Sequence, residues 1–205
     1  MQLYGVRGWG SAIAEALLAT AKVDYAFIDV TGFDTPGAAR DRLIALNPLA
    51  QVPTLVLDDG TVLTESAAIA LYLADRSAAL APSAGDPERV RFLRLLIWLV
   101  ANVYPTFTYG DYPQRWTASA PAELRSSTDS YRQTLYLWLE DQIAGPFVLG
   151  ECCSALDFYV ALMTEWRPGP RWFEAHAPRM VEVARRVRGL DAVREVLARN
   201  RTGQD

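Results

Sequence analysis

The spacing of hydrophobic positions changes character near residue 76. Before that point short apolar runs alternate with amphipathic stretches, and after it only helical spacing remains. Gln2–Gly5 and Tyr25–Val30 are short apolar runs and predict strands. Between them, Ser11–Lys22 repeats Ile13, Ala16, Leu17 and Ala21 on one face, which predicts a helix. Thr35-Pro36 opens a weaker helix through Arg40–Ala45. Leu55-Val56-Leu57 and Val62-Leu63 flank Asp59-Gly60, a pair that readily adopts the left-handed backbone of a tight turn, so a hairpin is expected. Ser66 then caps a helical run from Ala67 to Ala74. The order β-α-β-α-β-β-α suits a mixed sheet covered by helices.

This order predicts an α/β thioredoxin-like domain over residues 1–76 and a linker over 77–87, where two prolines, a glycine and four alanines accumulate. Residues 88–205 read as an all-helical domain, with helices over Glu88–Tyr104, Pro121–Ile143, Ser154–Trp166, Pro178–Arg188 and Asp191–Arg199. Ser154-Ala155-Leu156-Asp157 has the spacing of a capping box, with Cys153 and Phe158 placed to form a hydrophobic staple. Its role is in folding.

Composition removes several function classes. A chain of 205 residues with 51% hydrophobic content can bury a large core. The net charge of -4, with no basic stripe, argues against a nucleic-acid partner. Arg185, Arg186, Arg188, Arg194, Arg199 and Arg201 alternate with acids and read as solvated helix faces. No leader-like N-terminus and no apolar run of membrane-spanning length stand out, so a soluble cytoplasmic protein is expected, with no membrane partner. The two cysteines, Cys152 and Cys153, are adjacent and make no disulfide framework. Residues 1–75 contain no cysteine, which disfavours a dithiol redox enzyme. His176 is the single histidine and has no ligand cluster around it, so no metal site and no histidine triad are expected. Gly5-Val6-Arg7-Gly8-Trp9-Gly10 lacks the lysine of a P-loop and the spacing of a dinucleotide fingerprint.

The chemistry concentrates between Asn47 and Ser66. Pro53 sits where a strand begins and cannot donate a ladder hydrogen bond. A cis Val52-Pro53 bond would turn the Val52 N–H and carbonyl away from the sheet, where another peptide could pair with them. Ser66, at a helix start, suits a carboxylate. The sequence Asn47-Pro48-Leu49-Ala50-Gln51-Val52-Pro53-Thr54-Leu55, followed at its spacing by Glu65-Ser66, resembles the glutathione site of the cytosolic glutathione transferases, in particular bacterial, serine-type and theta-like members. The resemblance covers nearly the whole chain. It implies the two-domain glutathione transferase fold, with Val52 before a cis Pro53 pairing with the cysteinyl part of glutathione. It also implies that Glu65 and Ser66 hold the γ-glutamyl end and that Gln51 lies near the glycyl end.

The resemblance further implies a cytoplasmic homodimer acting in detoxification. No cofactor is needed beyond glutathione as co-substrate, whose thiolate attacks a small apolar electrophile. The thiolate needs a donor shortly after the first strand. Ser11 is the leading candidate, because its hydroxyl and the start of the first helix both favour an anion. Tyr4 is the alternative, although it lies out of register with the tyrosine-type classes, and Trp9 departs from either type. Trp9, Tyr104, Phe107 and Tyr109 are the candidates for an apolar electrophile pocket, the last three lying in the aromatic, proline-interrupted segment after the first helix of the second domain. Two other readings stand beside this one: a non-catalytic binding or assembly module, and a glutathione-dependent disulfide reductase.

Overall fold

The computed structural model describes residues 1–201. Leu3 and Leu55, both fully buried, lie opposite each other in the middle of a four-stranded sheet. The sheet consists of β1 (Gln2–Gly5), β2 (Ala26–Asp29), β3 (Thr54–Val56) and β4 (Val62–Leu63) in the order β2-β1-β3-β4. β1 runs parallel to β2, with Leu3 opposite Phe27, while β3 is antiparallel to both β1 and β4. A parallel pair needs a crossover, and α1 (Ser11–Thr20) supplies it. α2 (Ala38–Ile44) buries only Leu43, in a satellite cluster with Val6, Val30, Phe33 and Ala50, and α3 (Ser66–Ala74) packs beside α1. This is the thioredoxin-like arrangement the sequence predicts. α1 ends two residues before Lys22, which takes a left-handed backbone (φ 56°), and Val23 N–H closes the turn on the Leu18 carbonyl.

The chain divides into two compact units. One contains Met1–Ala81 and the segment from Val187 onward; the other contains Pro82–Arg186. The first break falls in the stretch read as a linker. The final helix, however, sits with the sheet. α10 (Asp191–Asn200) buries Val193, Val196, Leu197 and Asn200, a helical face that packs on α1. Positions 202–205 of the domain drawn from the sequence lie outside the described residues.

The second unit is helical. α4 (Glu88–Trp98) passes through a π-helical turn at Leu99–Val103 into α5 (Tyr104–Asp111) without a break. The sequence predicts an interruption at Pro105, but the helix runs through it, directly after the π-helical turn Leu99–Val103. The continuous run Glu88–Asp111 therefore has 24 residues, with a mean hydropathy of 1.3 in its most apolar stretch, long and apolar enough by those measures to cross a membrane. That corrects the expectation of no such run. The run also carries Glu88, Arg89, Arg91 and Arg94 and buries Phe92, Leu95, Leu96, Leu99 and Val103, as an amphipathic core helix does. α6 (Pro121–Gln142), α7 (Ala155–Met163), α8 (Pro170–His176) and α9 (Pro178–Arg188) follow. α8 was not legible, so His176 ends a helix instead of sitting in a turn.

The capping box forms at the start of α7. The Ser154 N–H and Oγ both reach Asp157 Oδ2, at 2.7 and 3.0 Å, and Asp157 Oδ1 accepts the Val148 N–H at 2.8 Å.

Candidate functional site

The register of β1 against β3 pairs Tyr4 with Thr54. Continued by two residues, it sets Val6 opposite Val52, and Val52 packs against the cluster that contains Val6. The Val52-Pro53 bond is cis. Among the described residues, nothing hydrogen-bonds the Val52 N–H or carbonyl. Gln51 is exposed and Pro53 is buried. Asn47 and Thr54, which the sequence reading passed over, brace this corner. Asn47 Nδ2 donates to the Gln51 carbonyl at 3.1 Å and to Thr54 Oγ1 at 3.3 Å, and Thr54 Oγ1 donates to the same carbonyl at 2.9 Å. Both side chains are buried, so they fix the backbone that leads into Val52. An asparagine and a threonine bracketing a loop that enters a strand is the signal that was available.

At the start of α3 the predicted cap shifts by one residue. Glu65, with φ 64°, is the capping position, and its carbonyl accepts the Ile69 N–H at 3.0 Å. Ser66 is the first helical residue and only 7% exposed, and the Glu65 side chain makes no capping bond. The left-handed Glu65 leads directly into a first turn whose N–H groups have no intrahelical acceptor. Glu65 itself is exposed.

Ser11 is the first residue of α1 and is fully buried. Its hydroxyl donates to the Val6 carbonyl at 2.6 Å and accepts the Val6 N–H at 2.9 Å. The single hydroxyl proton is therefore directed at the Val6 carbonyl. Gly5 makes the contact possible, since a Cβ there would overlap Ser11 Cβ and lie 2.7 Å from its Oγ. The Tyr4 hydroxyl donates to Gln2 Oε1 at 3.1 Å. Trp9 is 39% exposed and meets Phe33 edge-on, with ring centroids 5.8 Å apart.

The loop between Val6 and α1 is tied by a polar network that the sequence did not reveal. Glu15, fully buried on α1, accepts from Asn200 Nδ2 at 2.6 Å, Arg199 Nη2 at 2.8 Å, the Tyr25 hydroxyl at 3.0 Å and Arg7 Nη1 at 3.4 Å. Asn200 Oδ1 accepts the Gly8 N–H at 3.0 Å. Burial, and then the Glu15 charge, push the Tyr25 phenol up to about 12. Arg199 thus belongs to an ion pair with a buried acid and not to a solvated face, as its alternation with acids suggests. Arg7, Glu15, Val23, Asp24, Tyr25, Phe27 and Arg199 line an open depression of about 350 Å³.

In the second unit, Tyr104 meets Tyr159 and Trp166 edge-on, and Phe107 lies between Trp166 and the Arg132 guanidinium, 3.9 Å from its ring centre. Tyr109 is 40% exposed and packs on Trp116. Tyr104 and Phe107 therefore share one aromatic cluster, which Tyr109 does not join; Trp9 belongs to the first unit. His176 stacks on Trp172, and its Nδ1 lies 2.9 Å from the Trp172 carbonyl. Among the described residues no group of three or more histidine, cysteine, aspartate or glutamate side chains could hold a metal ion.

Cys152 is exposed, while Cys153 is partly buried and burial pushes its thiol up to about 12. A thiol reagent at neutral pH is expected to modify Cys152 alone in the folded protein and both cysteines after denaturation. Mass spectrometry of the labelled chain checks this, and labelling of Cys153 in the folded state would contradict it.

Residues 1–75 match the family described as the glutathione S-transferase N-terminal domain. The uncharacterized GST-like protein YncG of Escherichia coli (strain K12) is 49% identical over 201 residues, covering 98% of each chain. The chain belongs to the glutathione S-transferase family. Solved structures similar to this family member include a sphingomonad glutathione S-transferase complexed with glutathione. It is 25% identical with a TM-score of 0.79, and the match covers 97% of this chain and 98% of that one. A glutathione transferase homologue from Sulfitobacter, with bound glutathione, is 25% identical with a TM-score of 0.83 over 96% of each chain. The cis Val52-Pro53 corner and the Glu65-Ser66 helix start of this glutathione S-transferase family member both fall inside the matched residues 1–75.

Proposed function

We propose that the chain binds glutathione along the Val52 edge and presents its thiolate to a small apolar electrophile. The observation that carries this reading is the unpaired Val52 backbone at a cis-proline corner, next in the sheet to the strand that leads into α1. A peptide N–H and carbonyl left without partners at a braced corner are suited to pair with the cysteinyl backbone of a thiol tripeptide. Ser66 and the first-turn N–H groups of α3 receive the γ-glutamyl carboxylate, with Glu65 accepting from the α-amino group and Gln51 lying toward the glycyl end. The sphingomonad and Sulfitobacter proteins, whose structures hold glutathione, support the choice of ligand.

With the Ser11 hydroxyl committed to Val6, the thiolate is met by the backbone. Gly10 and Ser11 supply the N–H groups at the start of α1, where the helix dipole adds positive potential. Ser11 acts by fixing the turn that presents them. Trp9, 39% exposed beside this turn, is the apolar surface proposed for the electrophile within the first unit. A cytoplasmic homodimer in detoxification belongs to the same reading.

Ser66→Ala is expected to weaken glutathione binding by about 1–3 kcal/mol, the range for a hydrogen bond to a charged group. Calorimetry measures this directly, and an unchanged affinity would remove Ser66 from the site. Thiolate absorbance of the bound ligand against pH tests the chemistry. The commitment of both candidate hydroxyls favours a second reading, binding without turnover; in that case glutathione binds with its thiol titrating as it does in free solution.

A further inference from the structure

The Gly8 N–H has a partner 192 positions away, the Oδ1 of Asn200, at 3.0 Å. The other end of that amide is also fixed, because Asn200 Nδ2 donates to Glu15 Oε2 at 2.6 Å and to the Val196 carbonyl at 2.9 Å. Asn200 is 4% exposed and Glu15 fully buried, so neither bond competes freely with water. Gly8 has φ 77° and begins the short turn Gly8-Trp9-Gly10 before α1. Trp9 N–H bonds back to Val6, so Asn200 and Val6 hold the turn from its two sides. Packing does not require this amide, since Val193, Val196 and Leu197 already seat α10 on α1. Its two ends match a donor on the loop and an acceptor on α1, a pairing that an apolar residue on the same helix face would leave broken.

We propose that Asn200 is a positioning residue for the thiol end of the glutathione site. It holds the Gly8–Gly10 turn so that the N–H groups opening α1 keep the direction that stabilises a thiolate, and Glu15, clamped by Arg7, Tyr25 and Arg199, holds Asn200. This inference rests on the reading that glutathione sulfur meets the start of α1. The C-terminal helix thereby acts on thiol acidity without touching the ligand.

Thiolate absorbance of bound glutathione against pH tests the inference, with affinity measured on the same samples. Asn200→Ala removes the bonds to Gly8, Glu15 and Val196. It is expected to shift the thiol titration upward, leaving a thiolate fraction about three- to tenfold smaller at neutral pH, while affinity stays within about twofold because the glutamyl and cysteinyl anchors are untouched. Asn200→Asp keeps an acceptor for Gly8 but sets a second carboxylate against Glu15, and the same upward shift is expected. Adding Glu15→Gln to Asn200→Asp reverses the donor and acceptor of that pair and should return the titration toward that of the unsubstituted protein. A structural role alone would not produce this rescue. If the unsubstituted protein lowers the thiol pKa and Asn200→Ala leaves the titration unchanged, the positioning role is overturned while the binding reading stands. Should Asn200→Ala not fold, failure of the double substitution to reverse the Asn200→Asp shift overturns it equally. If the unsubstituted protein fails to bind glutathione, or binds it without lowering its thiol pKa, the reading that its sulfur is stabilised at the start of α1 fails and this inference falls with it.

Discussion

Glu15→Ala is expected to lower the free energy of unfolding by about 3–5 kcal/mol, the cost of breaking a buried ion pair from one side. The acid is fully buried, and four side chains donate to it. Its removal deletes one acceptor of Asn200 Nδ2 and of the Tyr25 hydroxyl and opens a gap between α1 and α10. Arg7 and Arg199 moderate the loss, since each side chain is 40% exposed and can turn to water. Denaturant unfolding of the parent and the substituted chain measures the difference, and a loss below about 1 kcal/mol would show that water replaces the network without cost. The Tyr25 phenol provides a local check. Burial and the Glu15 charge raise its pKa from 10.0 to about 12, so the stability linked to it is fully present below 10.0 and is lost as the pH rises through about 12. In Glu15→Ala the phenol should titrate at lower pH.

The second large effect is expected in the helical unit. Arg132, on α6, is 1% exposed; its Nε donates to Thr106 Oγ1 at 2.8 Å, and its Nη2 donates to the Thr106 carbonyl at 2.9 Å. Nη2 also lies 3.0 Å from Asp129, and the guanidinium plane covers the Phe107 ring. Burial holds its pKa below the usual arginine value. Arg132→Ala deletes the link between α5 and α6 and the packing on Phe107, for an expected loss of about 3–5 kcal/mol. Arg132→Lys should recover little, because an ammonium group cannot span both Thr106 oxygens while lying flat on a ring. A lysine variant as stable as the parent in denaturant unfolding would mean that charge, not geometry, is what α6 requires there.

The features legible in the sequence are those whose partners are close along the chain. The Asp59-Gly60 hairpin, the Ser154–Asp157 capping box and the proline opening β3 each follow from a few adjacent residues, because turn geometry and capping bonds are local. Hydrophobic spacing fixed α3 and α9 for the same reason. Pro105 suggests a helix end, yet the π-helical turn just before it lets the helix continue through a proline. Ser66 was placed one residue early in the helix because no local rule requires Glu65 to be left-handed.

Ser11 shows where such reading stops. Its position at the start of α1 was readable, but the direction of its hydroxyl depends on how closely Gly5 lets β1 approach the helix. Arg199 looked solvated because its neighbours along the chain are charged, yet its partner Glu15 lies 184 positions away. The sequence by itself determined the order of strands and helices over residues 1–76, the proline corner at Val52 and, to within one residue, the helix start at Ser66. Only the tertiary structure decided which polar groups are spent inside the fold and which are left for a ligand, because that depends on burial and on contacts between residues far apart in the chain.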